Sequence, residues 1–161
     1  MYEKILVPLD GSTLAERAIP HAREILRGAR SEILLLQAVN FPYPVIPEAA
    51  LVPDAKWLAR AKKEASRYLE GIAAPLREAG MPVRTLLDER PPADAILHVA
   101  EREEVDLIVM STHGRGGLSR VLMGSVADSV FRATSRTVML VKPERPAVVA
   151  YRDEELYLHV P

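Results

Sequence analysis

Five short apolar runs, separated by longer amphipathic stretches, limit what this chain can fold into. They are Ile5-Leu6-Val7-Pro8-Leu9, the segment 32–39 centred on Ile33-Leu34-Leu35-Leu36, residues 83–87, the segment 106–111 carrying Leu107-Ile108-Val109-Met110, and Thr137-Val138-Met139-Leu140-Val141. An unbroken apolar run marks a strand covered on both faces, because side chains pointing either way enter a core. Between the runs, apolar spacing predicts helices over 14–26, 54–79, 92–103 and about 124–134. Strand–helix alternation with right-handed crossovers gives an α/β fold of three layers, α/β/α, around a five-stranded parallel sheet. The expected strand order is 3-2-1-4-5 in a Rossmann-like sheet, an order that composition does not give. With 161 residues, 48% of them apolar, the chain has the material for one core.

Local signals set the boundaries. Asp10-Gly11-Ser12 turns the chain after the first run, and Thr13 with Glu16 reads as a capping box. Pro20 is expected to kink the first helix, since its ring removes a donor and crowds the preceding turn; Gly28 is expected to end it. Residues 40–53 hold Phe41-Pro42-Tyr43-Pro44-Val45-Ile46-Pro47, too much proline for a helix or inner strand, so they read as a surface loop, either a lid or a plain connection. Residues 1–143 form the expected domain and 144–161 a C-terminal extension. In that extension two β-prone stretches flank Arg152-Asp153-Glu154-Glu155, which suggests a hairpin or a dimer-embracing arm, with a frayed tail as the alternative.

Charge and composition remove several functions. A formal net charge of -1 lacks the basic excess that tracks nucleic-acid phosphates, so no DNA or RNA partner is expected. There is no cysteine for a disulfide or thiolate metal site, and no stretch long enough to span a bilayer. Met1-Tyr2-Glu3-Lys4 leads directly into a strand instead of a leader, and the expected location is cytoplasmic. One Asn, one Gln and 13 Pro are a bias that fits a heat-adapted source. His21 and His98 fall on helices and His159 in the tail without ligand spacing, so no metal site is expected from them.

The segment Ser111-Thr112-His113-Gly114-Arg115-Gly116-Gly117 leaves the fourth strand, and Gly124-Ser125-Val126 opens the next helix. Glycines let main-chain amides approach a phosphate, and a helix start offers unpaired N–H groups and a favourable dipole. With strand order 3-2-1-4-5, the sheet reverses between the first and fourth strands, so Pro8-Leu9-Asp10 and residues 111–117 would meet at one crevice. Ordinary readings stand beside this one: a turn with a helix cap, Ser125 as a simple N-cap, His113, Arg115 and Arg120 as solvated side chains. Trp57 reads as packing.

The opening residues 5–12, the second strand's end Gln37-Ala38-Val39 and the glycine segment together resemble the universal stress proteins, in order from Met1 to about Pro143. The family's ATP signature is Gly, two residues, Gly, nine residues, then Gly followed by Ser or Thr; Gly114, Gly124 and Ser125 match it, while Ser111 stands at the first glycine. The resemblance implies that Gly114, Arg115, Gly116 and Gly117 lie over phosphates, with Met110, Ser111 and His113 beside them. Ser125 and the amides of Val126 and Ala127 would hold a phosphate, and the Ser125 hydroxyl a magnesium ion accompanying a triphosphate. Asp10 would lie beside the nucleoside, the Ala38 main chain would read the adenine edge, and Pro8 and Leu9 would form the wall beneath. It further implies ATP or AMP as ligand, a homodimer paired through Thr137–Val141, and a regulatory part in stress response. A weak magnesium-dependent ATP hydrolase using Asp10 and Ser125, or a nucleotide-free structural dimer, are the alternatives; no Walker, Ser-His-Asp, kinase or paired-carboxylate pattern favours an enzyme. If Ser111 must be left-handed, serine costs roughly 1–2 kcal/mol, about tenfold or somewhat more in affinity. If it is extended, serine costs little.

Overall fold

The computed structural model describes residues 2–26, 31–40, 55–112 and 123–142. The elements are β1 Lys4–Leu9, α1 Thr13–Glu16, α2 Ala18–Ile25, β2 Glu32–Ala38, α3 Ala55–Glu78, β3 Val83–Asp88, α4 Pro92–Arg102, β4 Leu107–Ser111, α5 Ser125–Ala133 and β5 Thr137–Val141. All strand pairs are parallel and the order is β3-β2-β1-β4-β5, as expected. The expected loop over 40–53 beyond Asn40, the helix end at Gly28, Arg120 and the extension 144–161 lie outside the described residues. Among the described residues, no helix is long and apolar enough to cross a membrane.

Strand alternation divides the apolar side chains into two cores. Ile5, Val7, Leu9, Ile33, Leu35, Leu107 and Val109 pack on one face with Ala18, Ala22, Leu69 and Ala73 of α2 and α3. Leu6, Leu34, Leu36, Ile108 and Met110 pack on the other with Ile96, Val99, Ala127 and Val130 of α4 and α5. Because both faces are covered, these strands read as continuous apolar runs.

The first helical stretch differs from expectation in two respects. It is two helices, α1 and α2, broken at Arg17. Pro20 has no N–H for the Glu16 carbonyl and its ring crowds that carbonyl, so the chain breaks one turn upstream and places Pro20 in the tolerant first turn of α2. The cap is Ser12, whose Oγ accepts from Ala15 N at 3.2 Å, instead of a Thr13–Glu16 box. Glu16 is engaged elsewhere, accepting from the Tyr68 hydroxyl at 2.9 Å.

Two helix ends close alike with different residues. After α3, Gly80 takes φ 81° while Met81 N donates to Leu76 O at 3.1 Å. After α4, Glu104 takes φ 54° while Val105 N donates to Ala100 O at 2.9 Å. A side chain in that left-handed geometry costs roughly 1–2 kcal/mol, partly offset by the 0.5–1 kcal/mol of chain entropy that glycine loses on folding. Glu104→Gly is therefore expected to stabilise the protein by about 0.5–1 kcal/mol, read as a higher denaturant midpoint at unchanged slope. Residue Asp106, expected inside β4, precedes it as a latch: its Oδ2 accepts from Glu3 N and Lys4 N, both at 2.9 Å. Those two N–H groups hold its carboxyl below the ordinary range.

Candidate functional site

Where β1, β2 and β4 end, the sheet order reverses and a cavity of about 860 Å³ opens. Of the residues expected at a ligand, Pro8, Leu9, Asp10, Ala38, Met110, Ser111, Gly124, Ser125, Val126 and Ala127 all line it. His113, Gly114, Arg115, Gly116 and Gly117 lie outside the described residues. Strand alternation divides the lining between the two faces of the sheet. On the α4/α5 side are Pro8, Leu36, Ala38, Pro92, Ile96, Met110, Met123, Val126 and Ala127; on the α1/α3 side are Leu9, Ala15, Gln37, Trp57, Ala61, Glu64, Ala65 and Tyr68. Asp10, Asn40, Ser111 and Thr112 form the polar crest over the strand ends.

The crest is locally well fixed. Gly11 takes φ 82°, a turn that glycine enters without strain. The turn folds Ser12 back so that Asp10 Oδ1 accepts from Ser12 N at 2.9 Å and from Ser12 Oγ at 2.6 Å. The carboxylate is thereby oriented at the end of β1. Ser111 is the last residue of β4, opposite Val141, and is buried; among the described residues only Glu104 is a non-glycine with positive φ. Serine at this position carries no left-handed strain. Thr112 N donates to Val141 O at 2.9 Å, and Gly124 N donates to Thr112 O at 2.7 Å, so the sheet edge and the start of α5 are tied together.

Gly124, and not Ser125, occupies the N-cap of α5, and no side chain caps that end. The first amides of α5 thus face the cavity region without a side-chain acceptor of their own, which is the condition for receiving an anion. On the β2 side of the crevice, the β1–β2 ladder ends at Leu9↔Gln37, while Val39 N donates to Asp88 O of β3 at 2.7 Å. Alternation along β2 turns the Ala38 main chain toward β1, just where β1 stops.

The wall from α3 is the part that sequence reasoning missed. Trp57, read there as packing, lines the cavity with Ala61, Glu64, Ala65 and Tyr68. Their spacing of four, three or four, and three or four residues marks a single helix face, a signal that could have been read. Burial first, then the Glu16 hydrogen bond and the charges of Glu16 and Asp10, push the Tyr68 phenol well above its ordinary value. It stays protonated and donates to Glu16. His98 sits away from the cavity, its Nδ1 3.3 Å from Asp88 Oδ2. Burial raises the Asp88 carboxyl, but the Arg90 N–H and guanidinium outweigh it and hold the group below the ordinary range.

Comparison with known proteins places this geometry. A family model described as the universal stress protein family matches residues 1–142. Universal stress protein MJ0531 of Methanocaldococcus jannaschii is 33% identical over 145 residues, 88% of this chain and 83% of that protein. The solved structure of the hypothetical protein MJ0577, presented as a structure-based assignment of biochemical function, superposes with TM-score 0.75 at 29% identity, covering 91% of this chain and 99% of that one. An Arabidopsis thaliana universal stress protein family protein, solved with AMP bound, shares the fold at TM-score 0.61 and 21% identity, over 88% of this chain and 92% of that one. By its matched length and its sheet order, this chain belongs to the universal stress protein family.

Proposed function

We propose that the chain binds an adenine nucleotide, ATP or AMP, in the crevice at the β1/β4 reversal and acts as a regulatory protein of the stress response. The observation that carries this reading is the convergence of three unlike features on one cavity: the oriented Asp10 carboxylate, the Ala38 main chain at the end of the β1–β2 ladder, and the start of α5, capped by no side chain. Asp10 accepts ribose hydroxyls, the Ala38 main chain meets the adenine edge, and Ser125 with the amides of Val126 and Ala127 takes phosphate. A bound AMP in a family member of the same fold agrees with it. With ATP as the ligand, magnesium enters with the triphosphate, held by its phosphates and the Ser125 hydroxyl. Bound nucleotide ties the two sides of the crevice together, and the changed surface is what a partner detects. The test is equilibrium dialysis and thermal melting of dialysed protein: saturable AMP and ATP binding with a raised midpoint is expected, and absence of both removes the reading.

The same protein pairs with a second copy through β5. That strand is an edge of the sheet, and unpaired strand edges recruit further strands. Met139 on it and Phe131 on α5 are exposed, at 37% and 55%, where a lone apolar surface is a liability. Met139→Glu is expected to halve the molecular mass in sedimentation velocity and leave the far-ultraviolet spectrum unchanged. Retention of the native mass would place any assembly elsewhere.

A further inference from the structure

The turn that carries Asp10 is well made locally but needs holding as a unit. Asp10 Oδ1 accepts from Ser12 N and Ser12 Oγ, and Ser12 Oγ in turn accepts from Ala15 N, so the carboxylate moves with α1 as one body. That helix has four residues and stops at the break at Arg17. A single turn gains too little from its own hydrogen bonds to stand alone. β1 anchors the body at one end. At the other end the tie comes from α3, 52 residues along the chain, where the Tyr68 hydroxyl donates to Glu16 Oε1 at 2.9 Å.

Tyr68 is placed to hold more than Glu16. Its ring packs against the first core, and the next residue, Leu69, is wholly inaccessible within that core, so the phenol rides on a part of α3 that is closely packed and shifts little. Tyr68 shares the cavity wall with Asp10 and Ala15. The phenol stands in the field of both carboxylates, Glu16 and Asp10, while the Gly11 N–H acts on it in the opposite sense and favours its ionised form. An N–H has that effect only when it faces the oxygen. The hydroxyl therefore meets the end of α1 as a donor and turns its lone pairs toward the Asp10-Gly11 turn. A phenylalanine would keep the ring in the core and lose both contacts.

Resting on the nucleotide reading above, we infer that Tyr68 is the positioning residue of the site: by bracing the turn from α3 it holds the Asp10 carboxylate where a ribose hydroxyl meets it, and so sets the preference for ribose over deoxyribose. Tyr68 acts here through Asp10 and needs no contact with the ligand.

The experiment uses the intact chain and three probes, ATP, 2′-deoxy-ATP and 3′-deoxy-ATP, with a melt of each variant beside the titrations. ATP is expected to bind at least about tenfold more tightly than one of the two analogues, the lower range for a hydrogen bond to a charged group. Tyr68→Phe should bring that preference below about threefold, weakening ATP by a similar factor while the disfavoured analogue moves by less than about twofold. Glu16→Ala, which removes the acceptor of the phenol, should do the same, and carries the comparison if Tyr68→Phe does not fold. In an Asp10→Asn background Tyr68→Phe should change ATP affinity by less than about twofold, since the group it positions is already gone. A purely structural hydroxyl would lower the melting midpoint and leave the ribose preference intact, which overturns the inference. Equal weakening of all three probes by Tyr68→Phe overturns it as well. Equal affinity of the native protein for ATP and both analogues removes Asp10 from the sugar, and with it the inference, but leaves nucleotide binding standing. If no probe binds, both readings fall.

Discussion

Ser125→Asp is expected to abolish useful nucleotide affinity and at the same time make the fold slightly more stable. Ser125 is the first residue of α5, exposed at the mouth of the cavity with Gly124 as a cap that has no side chain. An aspartate there stands where the proposed phosphate would lie. Two like charges about 5 Å apart, at an effective dielectric near 20, repel by about 3 kcal/mol, roughly two orders of magnitude in affinity. The same carboxylate favours the helix, since an acid in the first turn gains about 0.3–1 kcal/mol from unpaired amides and the dipole. Calorimetric titration with AMP and ATP, beside a melt without ligand, reads both signs at once. Undiminished affinity in a protein that melts normally would mean that the anion is bound away from α5.

Leu69→Ala carries the largest expected loss of stability. Along α3, Ala65, Leu69, Ala73 and Leu76 are the buried positions, and Leu69 is fully inaccessible; the neighbouring alanines bring little apolar volume. Leu69 therefore anchors the middle of the helix against Ile33, Leu35 and their neighbours in the first core, with Leu76, Tyr68 and Ile72 packing beside it. Truncating a buried leucine costs about 2–5 kcal/mol through lost transfer energy and the cavity left behind. Against a total of roughly 5–15 kcal/mol, a fall of about 10 °C in the melting midpoint follows for a domain of this size. Arg67→Ala, on the exposed side of the same turn, should stay within about 0.5 kcal/mol. A Leu69→Ala midpoint indistinguishable from Arg67→Ala would show that α3 is not held by this contact.

The strands were readable because each apolar run reports burial on both faces within five or six residues, and their observed bounds differ from the expected ones by a residue or so. The helices were readable where a terminator acts locally, as at Gly80. Reading failed where a residue acts at a distance along the chain. Pro20 breaks the helix at Arg17, one turn earlier, because the clash is with the Glu16 carbonyl and not with Pro20's own neighbours. Ser12 caps in place of Thr13, and Glu16 is drawn off to Tyr68, 52 residues away. For the site, glycine, serine and aspartate at strand and helix ends stood out, since short polar residues there have few structural duties. Trp57, Ala61 and Tyr68 did not, because an aromatic and alanine stripe at helical spacing is the ordinary mark of packing.

By itself the sequence determined the layers, the burial of the strands on both faces and the turn at Asp10-Gly11-Ser12, all of which follow from side-chain periodicity and backbone preference over a few residues. Tertiary structure decided what depends on register between distant segments. The order β3-β2-β1-β4-β5 brings Asp10 beside Ser111; pairing with Val141 makes Ser111 extended and spares it left-handed strain. The carbonyl of Thr112 meets the amide of Gly124, and α3 turns Trp57 into the cavity instead of the core. Those contacts join segments a dozen or more residues apart. Their geometry is fixed by where strands stop relative to one another, a quantity no local pattern encodes.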